Sequence, residues 1–231
     1  PDARDPALEG RVIAHRVRLM ESGRAREIGL LETYPGQIFP IDNVTFFGAL
    51  ALHDRATGED HSALLNRLLE TLQTRYRDDS SGLLIQRVDL QGTAVDEPRG
   101  SGTAFAAYFV SFADMDLSRS LYGSIQDELV GSLFGFGAVR EYPRGNGGSG
   151  DIDSGPVILG QAVSTTGFTL ALARQHGDRD TFMSLYATAA LFGAPRQGDQ
   201  AAHYVMGGPI GDALMFALTT AVARDENGRA R

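Results

Sequence analysis

Four stretches of this chain have helical length and no polar face: Val44–Leu52, Thr103–Phe112, Val157–Ala173 and Ile210–Val222. A helix that is apolar all round has to be covered by protein on every side. Between these stretches lie others with a single apolar stripe. Leu64, Leu65, Leu68, Leu69, Leu72 and Tyr76 form one stripe, and Leu117, Leu121, Ile125, Leu129 and Leu133 a second. Phe182, Met183, Leu185, Tyr186 and Ala189 form a third, with Asp178 or Asp180 as its cap. Ahead of them all, Pro6 to Glu21 carries Leu8, Val12, Ile13, Val17 and Met20 at helical spacing. The order is amphipathic, then buried and amphipathic three times over, then buried.

The buried helices start near residues 42, 102, 155 and 209, roughly 53 to 60 residues apart. A repeat of one buried and one amphipathic helix is an α-hairpin array. Two concentric rings, an (α/α) toroid, cover an all-apolar helix on every side. An open solenoid is the alternative, but its repeats are shorter and its loops carry less Gly, Asp and Pro. The expected fold is therefore all-α, with residues 1–231 in one toroid domain and inner helices near 42–54, 102–113, 155–174 and 209–223. Pro156 suits the first turn of the third inner helix. Six hairpins make a complete toroid. This chain is expected to form part of one, closed by an upstream segment or a second subunit.

Composition removes several classes of function. The net charge is −8, and no basic stripe suited to nucleic acid is present. No apolar run approaches a membrane span. With no cysteine there is neither thiolate chemistry nor a disulfide, and the compartment stays open. All 21 basic residues are Arg, so a Schiff-base lysine and a P-loop lysine are excluded. The histidines show no zinc spacing. Asp151-x-Asp153-x-Gly155 is followed by Pro156 and Val157 where a calcium loop needs oxygen ligands. The run from Gly145 to Gly150 does not follow a strand as a dinucleotide fingerprint would. No metal and no cofactor are expected.

Antiparallel hairpins bring the starts of all inner helices to one end. Four loops feed them: Tyr34 to Asn43, Asp96 to Gly102, Glu141 to Pro156, and His203 to Asp212. Each carries acid. Two are alike, with Tyr34-Pro35 ahead of Asp42 and Tyr142-Pro143 ahead of Asp151. Carboxylates crowded at a concave mouth differ in pKa and can share the roles of general acid and base. The catalytic candidates are Asp42, Asp153, Asp151 and Glu141. Tyr34, Asn43, Arg99, Tyr142, His203, Tyr204 and Asp212 are the candidates for holding substrate. The competing view is that Asp42, Asp153 and Asp212 only cap helices.

Several stretches add a resemblance: the loop into Asp42-Asn43, His53-Asp54-Arg55-Ala56-Thr57-Gly58, Arg140-Glu141, and Thr166-Gly167-Phe168 through His176-Gly177-Asp178. At these places the chain resembles the linalool dehydratase-isomerase family, bacterial (α/α)6 toroids that act on small terpene alcohols. The resemblance implies the toroid, a pocket at this mouth, and an upstream part of the fold that carries a catalytic Asp and His. It also exposes departures. The family's two catalytic cysteine positions fall on Asp42 and Thr33, and a tyrosine position falls near Gly102. The expected function is a lyase or hydrolase using acid–base chemistry on a small molecule. A carbohydrate-active toroid (a glycoside hydrolase or epimerase) and a non-catalytic ligand-binding scaffold are the alternatives. With 12 Phe, 7 Tyr and no Trp, the chain is poor in rings on which sugars stack.

Overall fold

The computed structural model describes residues 6–150, 155–198, 202–205 and 208–222. The chain is predominantly helical. It opens with α1 (Pro6–Met20) and the short α2 (Gly23–Ile28). Three hairpins follow: α3 (Pro40–Thr57) with α4 (Ser62–Arg75), α5 (Gly100–Val110) with α6 (Met115–Glu128), and α7 (Val163–Gln175) with α8 (Arg179–Phe192). The last described helix is α9 (Gly208–Thr219).

The first helices of the hairpins pack in a row: α3 on α5, α5 on α7 and α7 on α9. Close contacts show that this row is parallel. A Cβ at Gly102 would stand 3.0 Å from Ile41 Cδ1, and one at Gly48 would stand 2.6 Å from the Phe109 carbonyl oxygen. The partner residue thus advances in step along α3 and α5. Gly48 is what lets the two backbones approach so closely. Gly100 meets Thr165, and the Phe105 and Phe168 rings pack edge to face at 5.2 Å, so α7 runs the same way. Gly167 faces Leu218, and Arg174 Nε donates to the Ala221 carbonyl, which extends the direction to α9.

This packing explains the all-apolar α5, whereas α9, expected to be buried on every side, leaves Leu214 and Phe216 exposed. Helix α5 touches α3, α6 and α7 and buries Ala104, Ala106, Ala107 and Val110 completely. The amphipathic α4 turns Leu64, Leu65, Leu68, Leu69 and Leu72 inward, where each buried leucine contributes roughly 1.5–3 kcal/mol. Tyr76, also fully buried, donates from its hydroxyl to the Ile28 carbonyl and so ties α2 to the first hairpin.

Not every boundary matches expectation. The stripe Leu117 to Leu133 divides: α6 ends at Glu128 and β1 (Val130–Leu133) pairs with β2 (Phe136–Val139). Phe134 and Gly135 take positive φ, the turn that the right-handed strand twist favours. Pro156 does not start a helix. Residues 157–162 form the hairpin β3 (Val157–Ile158) with β4 (Gln161–Ala162), and α7 begins at Val163. Leu159 and Gly160, both at positive φ, make its turn. Asp114 caps α6 through bonds from the N–H groups of Asp116 and Leu117. A third hairpin, β5 (Pro195–Gln197) with β6 (Ala202–Tyr204), precedes α9. All-α therefore becomes predominantly helical, with three small β-hairpins among the described residues.

Candidate functional site

The starts of α3, α5 and α7 meet at one end of the row, at Ile41 with Gly102 and at Gly100 with Thr165. What joins α5 to α7 there is Glu141. Its backbone is fixed from both sides: Gly100 N–H donates to its carbonyl at 2.8 Å, and its own N–H donates to the Gly160 carbonyl at 3.0 Å. Upstream, the N–H of Val139 donates to Thr166 Oγ1, and Thr188 Oγ1 donates to the Gly137 carbonyl. Strand β2 is thereby fastened to α7 and α8, and its end delivers Glu141 to the helix starts.

The Glu141 carboxyl group is fully buried. Ser101 Oγ donates to Oε1 at 2.6 Å, and Thr165 Oγ1 donates to Oε2 at 2.5 Å. The Ser101 backbone N–H also donates to Oε2, at 3.3 Å. The residue at the N-cap of α5 is Arg99, which makes no side-chain cap. Glu141 therefore supplies from forty residues away the anion that a helix start favours. Burial pushes its pKa above the usual carboxylate range. The bonds from Ser101 and Thr165 and the nearby charge of Arg99 only partly oppose that rise.

Arg99 and Tyr142 belong to the same group. Arg99 Nη2 bonds Asp96 Oδ2 at 3.0 Å, and its guanidinium lies 5.5 Å from the centre of the Tyr142 ring. The buried Tyr142 ring is covered by the glycine-rich loop. A Cβ at Gly148 would stand 2.6 Å from it, and the Tyr142 hydroxyl donates to the Ser149 carbonyl. The glycines of this loop let backbone lie flat on an aromatic face. Asp151 and Asp153 lie outside the described residues.

At the start of α3, Asp42 is half-buried in the first turn, two residues after Pro40, and is not the N-cap, which is Phe39. The Asn43 amide is used to hold the preceding loop. Its Oδ1 accepts from Leu31 N–H at 2.8 Å, and its Nδ2 donates to the carbonyls of Leu31 and Phe39. Tyr34 is exposed and packs edge-on to Phe39. A third group forms where β6 meets α9. Asp212 Oδ1 accepts from Tyr204 N–H, and Asp212 Oδ2 pairs with His203 Nδ1 at 3.1 Å. The same two bonds, Tyr204 N–H first, draw the Asp212 pKa below the usual carboxylate range.

The predicted residues thus fall into three groups, on the starts of α3, α5–α7 and α9, and the first two are in contact through Ile41 and Gly102. Ser101 and Thr165 were missed as partners of Glu141. The signal for them was Arg99-Gly100-Ser101-Gly102, a helix start with no acid in its first turn. Among the described residues, no group of three His, Asp or Glu side chains is placed to hold a metal ion. No helix among them is long and apolar enough to cross a membrane.

A comparison with curated proteins found no match. A comparison with protein families matched residues 18–207 to the family described as linalool dehydratase/isomerase. That span takes in the starts of α3, α5 and α7 but not that of α9, and includes the Glu141 clamp. With most of its length matched, the chain belongs to the linalool dehydratase/isomerase family.

Proposed function

We propose that this chain is the body of a lyase- or isomerase-type enzyme that adds or removes water, or moves a double bond, on a small and largely hydrocarbon alcohol. The α3, α5, α7 and α9 row with its outer helices is, in this view, an arc of an (α/α) toroid, and the substrate sits over the helix starts. The observation that carries the proposal is the meeting of the α3, α5 and α7 starts at one end, with Asp42, Asp96 and Glu141 there, inside the matched span.

The acids divide by burial. Glu141, enclosed and bonded by three donors, acts as the positioning group that holds the α5 and α7 starts together. Asp42, half-buried in the first turn of α3, is the acid or base, with Asp151 and Asp153 as candidates for its counterpart. Elimination of water needs a base at a C–H bond and an acid at the departing oxygen. Carboxyl groups in unequal surroundings supply both. A family chemistry that relied on thiolates has no group to run on here, since the chain holds no cysteine.

The purified protein incubated with linalool should yield the dehydrated hydrocarbon or the rearranged alcohol, read by gas chromatography. Asp42→Asn should keep the melting temperature and lower turnover by about 10²-fold or more, the usual scale of acid–base assistance. Unchanged turnover in a stable Asp42→Asn protein removes Asp42 from the mechanism.

A further inference from the structure

The group at β6 and α9 goes beyond substrate contact. We infer that His203 is a second acid–base residue, held by Asp212 so that its Nε2 is the reactive atom; this rests on the lyase or isomerase function proposed above. Asp212 accepts at both oxygens, from Tyr204 N–H and from His203 Nδ1 at 3.1 Å. The first bond fixes the carboxylate on the end of the strand. The second can form with an anionic carboxylate only if the proton of the imidazole is on Nδ1, which leaves the Nε2 lone pair free. A carboxylate that selects the tautomer and then steadies the imidazolium is the device by which histidine bases are prepared.

Exposure makes the dyad usable. The His203 side chain is 65% exposed while that of Asp212 is 26% exposed, so the base faces outward and its orienting group sits behind it. The surroundings are apolar. Phe216 lies one helical turn beyond Asp212 and is 73% exposed, and Val205 beside Tyr204 is 52% exposed. A base flanked by bare hydrocarbon surface fits a neutral substrate of low polarity, and a charged or polyhydroxylated one poorly. The parallel run of α7 and α9 puts the start of α9 at the same end as the starts that carry Asp42 and Glu141.

The step balances with this residue alone. Nε2 takes a proton from the carbon next to C–OH, and the C–H pair becomes the new π bond. The C–O bond breaks with its electrons on oxygen. The imidazolium returns the proton to that oxygen, which departs as water, and His203 is neutral again. For isomerisation of an allylic alcohol one water adds back to the diene: Nε2 takes a proton from it, its oxygen bonds the far end of the diene, and the imidazolium gives the proton to the carbon that first lost one.

The test uses linalool and the full chain. His203→Ala should lower kcat by 10²–10⁴-fold, and free imidazole should restore part of it. Asp212→Asn should lower kcat by at least 10-fold with little change in KM, because its carboxamide no longer selects the tautomer. Nitrogen NMR of the unaltered protein should show the His203 proton on Nδ1, and a proton on Nε2 in the neutral ring overturns the inference. If linalool is turned over and His203→Ala is as fast as the parent, the inference fails and the proposed function stands. If the unaltered protein turns over no linalool, the proposed function fails and the inference fails with it. An active His203→Ala protein that is slowed but gains nothing from imidazole also overturns the inference, since the loss is then structural.

Discussion

Glu141→Gln tests the joint between α5 and α7 most directly. The change keeps the shape of the side chain and removes its charge. In the parent, Ser101 Oγ, Ser101 N–H and Thr165 Oγ1 all donate to carboxylate oxygens, at 2.6, 3.3 and 2.5 Å. A glutamine offers one oxygen and one NH₂, so at least one of the three donors loses its acceptor. Leaving a buried donor unpaired costs about 1–3 kcal/mol, and each remaining bond loses about 1 kcal/mol of charge assistance. Relief of the desolvation that raises the Glu141 pKa gives part of this back. The net loss is roughly 1–3 kcal/mol, which for a chain of this size lowers the melting temperature by about 2–4 °C per kcal/mol.

The pH dependence has a definite sign. A carboxyl whose pKa is raised by folding takes up a proton as the chain folds, so its burial costs most at high pH. The parent therefore gains stability as pH falls from its folded pKa toward the unfolded value near 4.3, and the Gln variant, which cannot titrate there, does not. The gap between the two proteins should widen over that window. Thermal unfolding followed by circular dichroism at pH 7 and near pH 4.5 measures both effects. A Gln variant that melts within 1 °C of the parent at both values, on the order of 0.3 kcal/mol, refutes the clamp. A double-mutant cycle with Thr165→Val should show coupling of about 0.5–3 kcal/mol, as expected for groups in direct contact.

Two further outcomes follow from the packing. Gly48→Ala would place a Cβ 2.6 Å from the Phe109 carbonyl oxygen, a backbone atom that cannot swing aside. It should destabilise by roughly 1–3 kcal/mol in a urea titration despite the better helix propensity of Ala. His176 is held to a pKa of about 4 by burial, with a smaller push from the charge of Arg119. The unfolded chain therefore binds a proton between about pH 6.5 and pH 4 that the native state refuses, and stability drops as pH falls through that range. The full shift corresponds to about 3 kcal/mol. Partial solvent access at this site brings the expected loss nearer 2 kcal/mol. His176→Gln should remove that part of the acid sensitivity, as seen by comparing urea midpoints at pH 7 and pH 4.5.

The alternation of all-apolar and one-striped helices could be read without coordinates, because burial on every side and burial on one side leave different patterns along a chain. Val44–Leu52 and Thr103–Phe112 lie largely within α3 and α5 for that reason. The amphipathic partner Leu64–Leu72 follows for the same reason, whereas of the stripe Phe182–Ala189 only Leu185 is buried and Met183 and Tyr186 are exposed. Periodicity alone misjudged Leu129–Leu133, where the apolar spacing continues but the backbone leaves α6 for a hairpin, and residues 155–162, where a strand pair stands in place of a helix start. Those departures are set by long-range pairing. Arg140 meets Gln161, and β2 is fastened to α7 and α8.

The site divides along the same line. That acid would lie near the helix starts was legible from the loops, since each loop carries its own. Which acid would be enclosed and which left open was not. Asp42 and Glu141 both stand among the acids of these loops, yet one is half-buried in a first turn and the other is sealed between two helix starts. Nothing local to Glu141 marks Ser101, forty residues before it, or Thr165, twenty-four after it, as its partners. Periodicity records how much of a helix is covered, a property each residue carries with it. Partnership depends on where two distant segments come to rest, and for this chain the close packing of α5 between α3 and α7 decided it.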